Sequence, residues 1–348
     1  MGFIKGINGL RAIAVLMVIF YHWGFPFGIR FRVDGGMGVD LFFVISGFLI
    51  SRILLREKCK GSQTSSILKN FYVRRILRIF PIYYISLIIL LLYKYPDIHQ
   101  RIFYFFSYTE NIEVFIHRSW NAWSHAWSLS VEEQFYFVWP FVIILIPKNK
   151  EKFFVYLFIV LGLIFQPLLW FVTGNPFAFV LTPACIGAFG VGALISIWEH
   201  EQKIDFYLKY YKWIIPPALA MFIYWTIAPD GGHFKYLMRF NTSILSGFLI
   251  ILCIKNANKY YMGFLENRIL RNLGIVSYGI YLFHYAWPVF YGVMFNKVST
   301  SLFNCSYGCF ETLYPNANYL LKVSTLFLLA FFSFYTIEKF FLSFKRYF

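Results

Sequence analysis

Apolar runs of about twenty residues recur along the whole of this chain, with short charged loops between them. Ten can be drawn, at roughly 7–27, 35–55, 79–95, 127–147, 153–172, 177–198, 210–228, 236–254, 270–295 and 319–338, each near the ~20 residues a helix needs to cross a hydrocarbon core. A composition that is 59% hydrophobic and only 14% charged over 348 residues excludes an ordinary soluble domain. The expected fold is all-α and polytopic, a bundle of about ten transmembrane helices. The weaker stretch 101–116 carries Glu110, Asn111 and Glu113 and is expected to form a short re-entrant or interfacial helix. The first run holds Arg11 and ends without a small-residue cleavage site, so it reads as a span and not a signal peptide. With no clear internal repeat, a single membrane domain over 1–348 is expected, without an appended soluble domain. Any chemistry must then use the bundle and its short loops.

The net charge of +16 follows from where the cations sit. Residues 51–78 hold Lys58, Lys60, Lys69, Arg74, Arg75 and Arg78, among others, against Glu57 alone. Such loops stay in the cytoplasm. Ten spans then place the Lys148 loop, the loop with Lys255 and Arg268, and the tail with Lys345 and Arg346 on that same side. The reading is a multi-pass protein of the cell inner (plasma) membrane with cytoplasmic N- and C-termini. No basic stripe with interleaved aromatics stands out, so nucleic acid is not an expected partner. The five cysteines show no metal-binding spacing. Cys305 and Cys309 share a loop on the outer side, open to a disulfide or to free thiols.

An ionised side chain at membrane depth costs at least about 2.5–3.5 kcal/mol, and persists when it pairs, lines a wet cavity or does chemistry. Here Arg11 and His22 lie eleven residues apart on one run, close to three helical turns and ~16 Å, so both project from one face. Asp40 follows Gly35-Gly-Met-Gly and can either orient an imidazole such as His22 or cap its helix. Arg75 and Arg78 share a face where the third span leaves the cytoplasm, placed for phosphates or for lipid headgroups. Ser130 and Glu133 have capping-box spacing, which leaves Glu132 unexplained. Tyr278, Tyr281 and His284 line up at i, i+3 and i+6 in the ninth run.

Together these segments resemble the acyltransferase family 3 membrane proteins, bacterial enzymes that O-acylate surface carbohydrates. The resemblance rests on Asn8-Gly-Leu-Arg11 with His22 beyond it, Gly36-Met-Gly-Val-Asp40 running on to Ser46-Gly, Arg74-Arg-Ile-Leu-Arg78-Ile-Phe-Pro, His125-Ala-Trp-Ser-Leu-Ser-Val-Glu132-Glu-Gln-Phe-Tyr, Ser277-Tyr-Gly-Ile-Tyr-Leu-Phe-His284 and Tyr335-Thr-Ile-Glu338-Lys, in order along the whole chain. It implies acyl-CoA, usually acetyl-CoA, as a cytoplasmic co-substrate in place of any bound cofactor. It also implies a carbohydrate acceptor of O-antigen, exopolysaccharide or capsule type on the other side. It makes Arg11 and His22 the central catalytic pair, and Asp40 or Glu132 is the carboxylate expected to orient the imidazole. Arg75, Arg78, Ser46, Ser130, Tyr278 and His284 are expected at the substrates, and no metal is expected. Many relatives carry an extra extracytoplasmic hydrolase-like domain, which the residues at hand do not include.

The expected mechanism holds the CoA phosphates on the arginines and presents the thioester near His22. The imidazole then acts either as general base or as transient acyl carrier. The alternative is a transporter of a carboxylate or lipid-linked glycan built on the same intramembrane charges. Ten spans predict that a membrane-impermeant thiol reagent on intact cells misses Cys59 and, after mild reduction, labels the Cys305/Cys309 loop. Labelling of Cys59 in sealed cells inverts the topology.

Overall fold

The computed structural model describes residues 4–27, 34–227, 237–255, 262–303 and 306–348, and among them there is no β-strand. The chain begins with three long helices, α1 (Gly6–Trp23), α2 (Gly35–Cys59) and α3 (Thr64–Leu92). A hairpin of two short helices follows, α4 (Ile98–Phe106) and α5 (Glu110–His117). Long helices resume with α6 (Ala126–Leu145), α7 (Glu151–Thr173), α8 (Thr182–His200), α9 (Ile204–Ile227) and α10 (Met238–Lys255). The last third is more broken. It runs through α11 (Gly263–Glu266), α12 (Arg268–Ile275), α13 (Ser277–Phe283), α14 (Trp287–Phe303), α15 (Tyr307–Leu313), α16 (Pro315–Ser333), a π-turn (Phe334–Glu338) and α17 (Lys339–Ser343).

Among the described residues, eight helical segments are long and apolar enough to cross a bilayer. They correspond to eight of the ten runs drawn from sequence. The run at 210–228 lies in α9, a helix of sufficient length whose Tyr, Trp and paired Pro216 and Pro217 make it less apolar than the others. The run at 270–295 is not one helix. It breaks at Val276 and again between Phe283 and Trp287, giving α12, α13 and α14. The first break follows from packing: Gly274 lies so close to the Asn8 backbone that a Cβ there would overlap it, and Ser277 Oγ takes the Gly274 carbonyl at 3.0 Å. Irregular backbone at membrane depth is tolerated where protein surrounds it or a cavity is lined, and α13 meets that condition. The 101–116 stretch is the α4–α5 hairpin, too short to span. Its Glu110 and Glu113 are buried, bridged by the Asn121 amide, and Arg101 pairs with Glu113. Cys309 is disulfide-bonded, whereas Cys305 lies outside the described residues; Cys59, Cys185 and Cys253 are free.

α2 runs through the middle of the bundle, apolar on nearly all sides, and packs on α1, α6, α8 and α10. Lipid gives no hydrophobic drive between helices, so close packing of small residues must supply it. Gly47 of α2 faces the Phe189 carbonyl of α8, and Gly192 of α8 faces the Val44 carbonyl of α2, each with no room for a methyl group. Gly38 meets the Ala14 carbonyl of α1 in the same way. These contacts fix the separation of the helices that carry Asp40 and Ser46. Gly192→Leu is expected to push α2 and α8 apart and lower the melting temperature in detergent, with overpacking of about 1–3 kcal/mol or more. An unchanged melting curve would mean the two helices are not held by this crossing.

Candidate active site

Two cavities meet inside the bundle. Val39 and Tyr281 line both and form the wall between them. The first is an arginine cavity. Arg11 reaches it from α1, and Arg75 and Arg78 from α3. Facing them are Ser46 of α2 and the carboxylates Glu132 and Glu133 of α6. Among the described residues no carboxylate lies within ion-pair distance of the three guanidiniums and no hydrogen bond holds them, although Arg11 and Arg75 both lie within electrostatic reach of Arg78. Arg75 instead stacks on aromatic faces, 4.8 Å above the Tyr136 ring and 5.6 Å from that of Phe71. Convergent guanidiniums with free donors form a site for an anion bearing several oxygens.

Glu132 is held from both oxygens. Tyr136 donates to Oε2 at 2.7 Å, and Ser46 Oγ donates to Oε1 at 3.4 Å. Its role is in the arginine cavity, so the expectation that it orients His22 is not met. Ser130 also departs from expectation. Helix α6 already starts at Ala126, so no capping box forms, and Ser130 Oγ donates to the Ala126 carbonyl at 3.2 Å while accepting the Glu110 N–H at 3.3 Å. It ties α5 to α6 and lines neither cavity. Tyr278 does line the arginine cavity, its hydroxyl on the Ile79 carbonyl at 3.3 Å. Glu338, in a motif with no role assigned from sequence, is buried at the end of the π-turn, within electrostatic reach of Arg78 and Arg11. π-turns recur at functional sites. The length of the apolar run hid this one.

The second is a histidine cavity, with about 2130 Å³ of space including its open mouth. His22 and Asp40 line it with His125, and Trp120, Trp127, Trp170 and Tyr285 supply aromatic faces. α1 is unbroken from Gly6 to Trp23, which keeps the phase that puts Arg11 and His22 on one face, and along that face Arg11 opens to one cavity and His22 to the other. Asp40, however, does not orient His22. Its Oδ1 accepts from Arg239 Nε at 2.7 Å, and Arg239 Nη1 also donates to the Phe179 and Ala184 carbonyls at 2.8 and 3.1 Å. Asp34, not Asp40, caps α2 by accepting the Gly36 N–H at 2.8 Å. Arg239 was missed from sequence; an arginine inside the apolar run 236–254 was the available signal. The neighbours of His22 Nδ1 are the Val18 carbonyl at 3.0 Å and His284 Nε2 at 3.3 Å. His284 is fully buried and lines neither cavity, so it is a partner of His22 and not the substrate contact expected. The wall is closed by hydrogen bonds. The Ser128 and Tyr281 hydroxyls lie 2.6 Å apart, and Tyr281 donates to the His125 carbonyl at 3.2 Å.

A bundle with three convergent guanidiniums on one side of a shared wall and an imidazole on the other has the parts that a group-transfer device needs. The family model described as an acyltransferase domain matches residues 4–339. The chain belongs to this acyltransferase family. It is similar to the peptidoglycan O-acetyltransferase OatA of Listeria monocytogenes, 29% identical over 310 residues that make up 81% of this chain and 49% of that protein. A Bacillus subtilis protein provisionally described as a peptidoglycan O-acetyltransferase is 28% identical over 325 residues, 81% of this chain and 48% of its own. A Staphylococcus aureus protein provisionally described as an O-acetyltransferase is 28% identical over 313 residues, 82% and 51% respectively. The chain thus spans about half the length of the curated relatives it matches. No solved structure matches it.

The acyltransferase bundle needs the Asp40–Arg239 pair for its architecture. Both side chains are nearly buried, and removing one partner of such a pair costs about 3–5 kcal/mol. Asp40→Leu is expected to reduce thermal stability by that order, and Asp40→Leu combined with Arg239→Met to recover most of it. Activity lost in Asp40→Asn as deeply as in His22→Ala, with stability unchanged, would give Asp40 a direct part in catalysis instead.

Proposed function

We propose that this chain transfers an acetyl group from acetyl-CoA, bound from the cytoplasm at the arginine cavity, to a hydroxyl of a cell-envelope polysaccharide held in the histidine cavity. The observation that carries this reading is the pair of cavities sharing one wall, with Arg11 and His22 on one helix but on opposite sides of that wall. The relatives' descriptions favour a peptidoglycan-type acceptor over O-antigen or capsule. The aromatic faces of Trp120, Trp127, Trp170 and Tyr285 suit the apolar faces of sugar rings. This orientation places the protein in the cytoplasmic membrane with both termini inside, in line with the loop charges.

In the reaction, Arg11, Arg75 and Arg78 bind the phosphates of the donor, and the pantetheine arm lies along the α1–α2–α13 seam towards Val39 and Tyr281. His22 Nε2 takes the proton of the acceptor hydroxyl as its oxygen attacks the thioester carbonyl. The new C–O bond forms, the C–S bond breaks, and the departing thiolate takes the proton from His22. The products are the ester and CoA thiol.

Purified protein in lipid vesicles, given radiolabelled acetyl-CoA and peptidoglycan fragments, should release CoA only when glycan is present. Glycan movement without acetylation would favour a transporter. His22→Ala should lower transfer about 100- to 10,000-fold with the protein still folded. Arg75→Ala and Arg78→Ala should each weaken CoA affinity about tenfold or more, with lysine a poor substitute for a forked contact. Unchanged CoA affinity in both arginine variants would return these residues to headgroup anchoring.

A further inference from the structure

A histidine that serves as general base needs its second ring nitrogen held, and a carboxylate is the usual holder. None does so here. Among the described residues, no carboxylate hydrogen-bonds or ion-pairs with His22, and the two acids on its cavity wall, Asp34 and Asp40, are engaged by Gly36 N–H and Arg239.

The hydrogen-bond pattern determines where the protons lie. A carbonyl oxygen only accepts, so His284 Nδ1, 2.5 Å from the Tyr281 carbonyl, carries a proton. In the neutral ring its Nε2 is then a lone pair. That lone pair lies 3.3 Å from His22 Nδ1, which is also 3.0 Å from the Val18 carbonyl. Two acceptors therefore converge on one nitrogen, and His22 Nδ1 must be the donor. Its Nε2 is left as the free lone pair, on a ring exposed to the histidine cavity.

The backbone explains how His284 reaches this place. It follows α13, where the ninth apolar run breaks, with its N–H on the Ile280 carbonyl at 3.0 Å. The ring is fully buried between those of His22 and His125, with centroids 5.0 and 4.9 Å away.

We propose that His284 is the positioning residue of the transfer, its Nε2 lone pair holding the Nδ1 proton of His22 and stabilising the imidazolium formed when His22 takes the hydroxyl proton. This rests on the acyl-transfer reading above. Through the step, the acceptor O–H bond breaks, its proton goes to His22 Nε2, and the thiolate leaving with the C–S electron pair removes it again. The Nδ1 proton stays shared between Val18 O and His284 Nε2. A neutral imidazole does this without adding a negative charge to a buried layer.

The test has two arms. In the kinetic arm, His284→Leu removes the acceptor and should lower kcat about ten- to a hundredfold, the worth of one hydrogen bond to a charged group, with both KM values nearly unchanged. His284→Gln places an amide oxygen near the Nε2 position and should recover most of that loss. In the second arm, solid-state NMR of the ¹⁵N-histidine-labelled protein in lipid, with His22→Gln identifying the signal, should show His22 neutral and protonated on Nδ1, with the Nδ1 resonance shifted in His284→Leu. The proposal is overturned by an Nε2-protonated His22 in the wild type, by wild-type kcat in His284→Leu, or by Gln no better than Leu when both melt as the wild type does. Should the wild type transfer no acetyl group while the NMR arm holds, the functional reading fails and the histidine pairing stands.

Discussion

Three guanidiniums that hold no hydrogen bond among the described residues cannot lie against lipid tails, and the bundle is arranged around giving them a space of their own. Arg11, Arg75 and Arg78 come from two helices and face the carboxylates of a third. Partnered tightly, they would be a structural ion cluster. Left open, they have the donors that polyvalent negative charge would use, as the proposed donor binding requires. The aromatic platform under Arg75 and the two-sided grip on Glu132 keep these groups apart, so that the cavity stays cationic.

α2 makes that arrangement rigid. Its glycines bring α1 and α8 to backbone contact, and near its N-terminal end Asp40 fastens Arg239 and, through it, the Phe179 and Ala184 carbonyls. Ser46, two turns further along, reaches into the arginine cavity. One helix thus sets the wall of both chambers. The buried pair near one end and the small-residue crossings along its length serve the same purpose, which is to hold Val39 at the boundary.

Much of this was legible in the sequence, for physical reasons. Length and apolarity locate spans well, because the bilayer imposes both, and the eleven-residue interval from Arg11 to His22 carried its helical phase faithfully into three dimensions. Partnership was less legible. Asp40 and His22 look adjacent in sequence because consecutive helices are adjacent in space, yet the partner of Asp40 comes from Arg239, about two hundred residues on. Ser130 fitted a capping pattern that α6 overrides by beginning a turn earlier. The break at Val276 was hidden because an apolar run shows no sign of a backbone turned by contact with Asn8. His284 meets His22 from 262 residues away, so its contact with His22 could not be read from spacing.

The wall shared by the two cavities has an electrical meaning. Moving one elementary charge across a membrane is worth about 2.3 kcal/mol per 100 mV, so any net charge passed from one cavity to the other past Val39 and Tyr281 would feel the membrane voltage. On the proposed chemistry, the donor's phosphates stay on their own side. What crosses outward is an acyl group that leaves its electron pair on sulfur, and what returns is the hydroxyl's proton, passed through His22 to that same sulfur. The two are equal formal charges moving in opposite directions. The exchange is electrically silent, so a cell could decorate its envelope without either drawing on its membrane potential or leaking it.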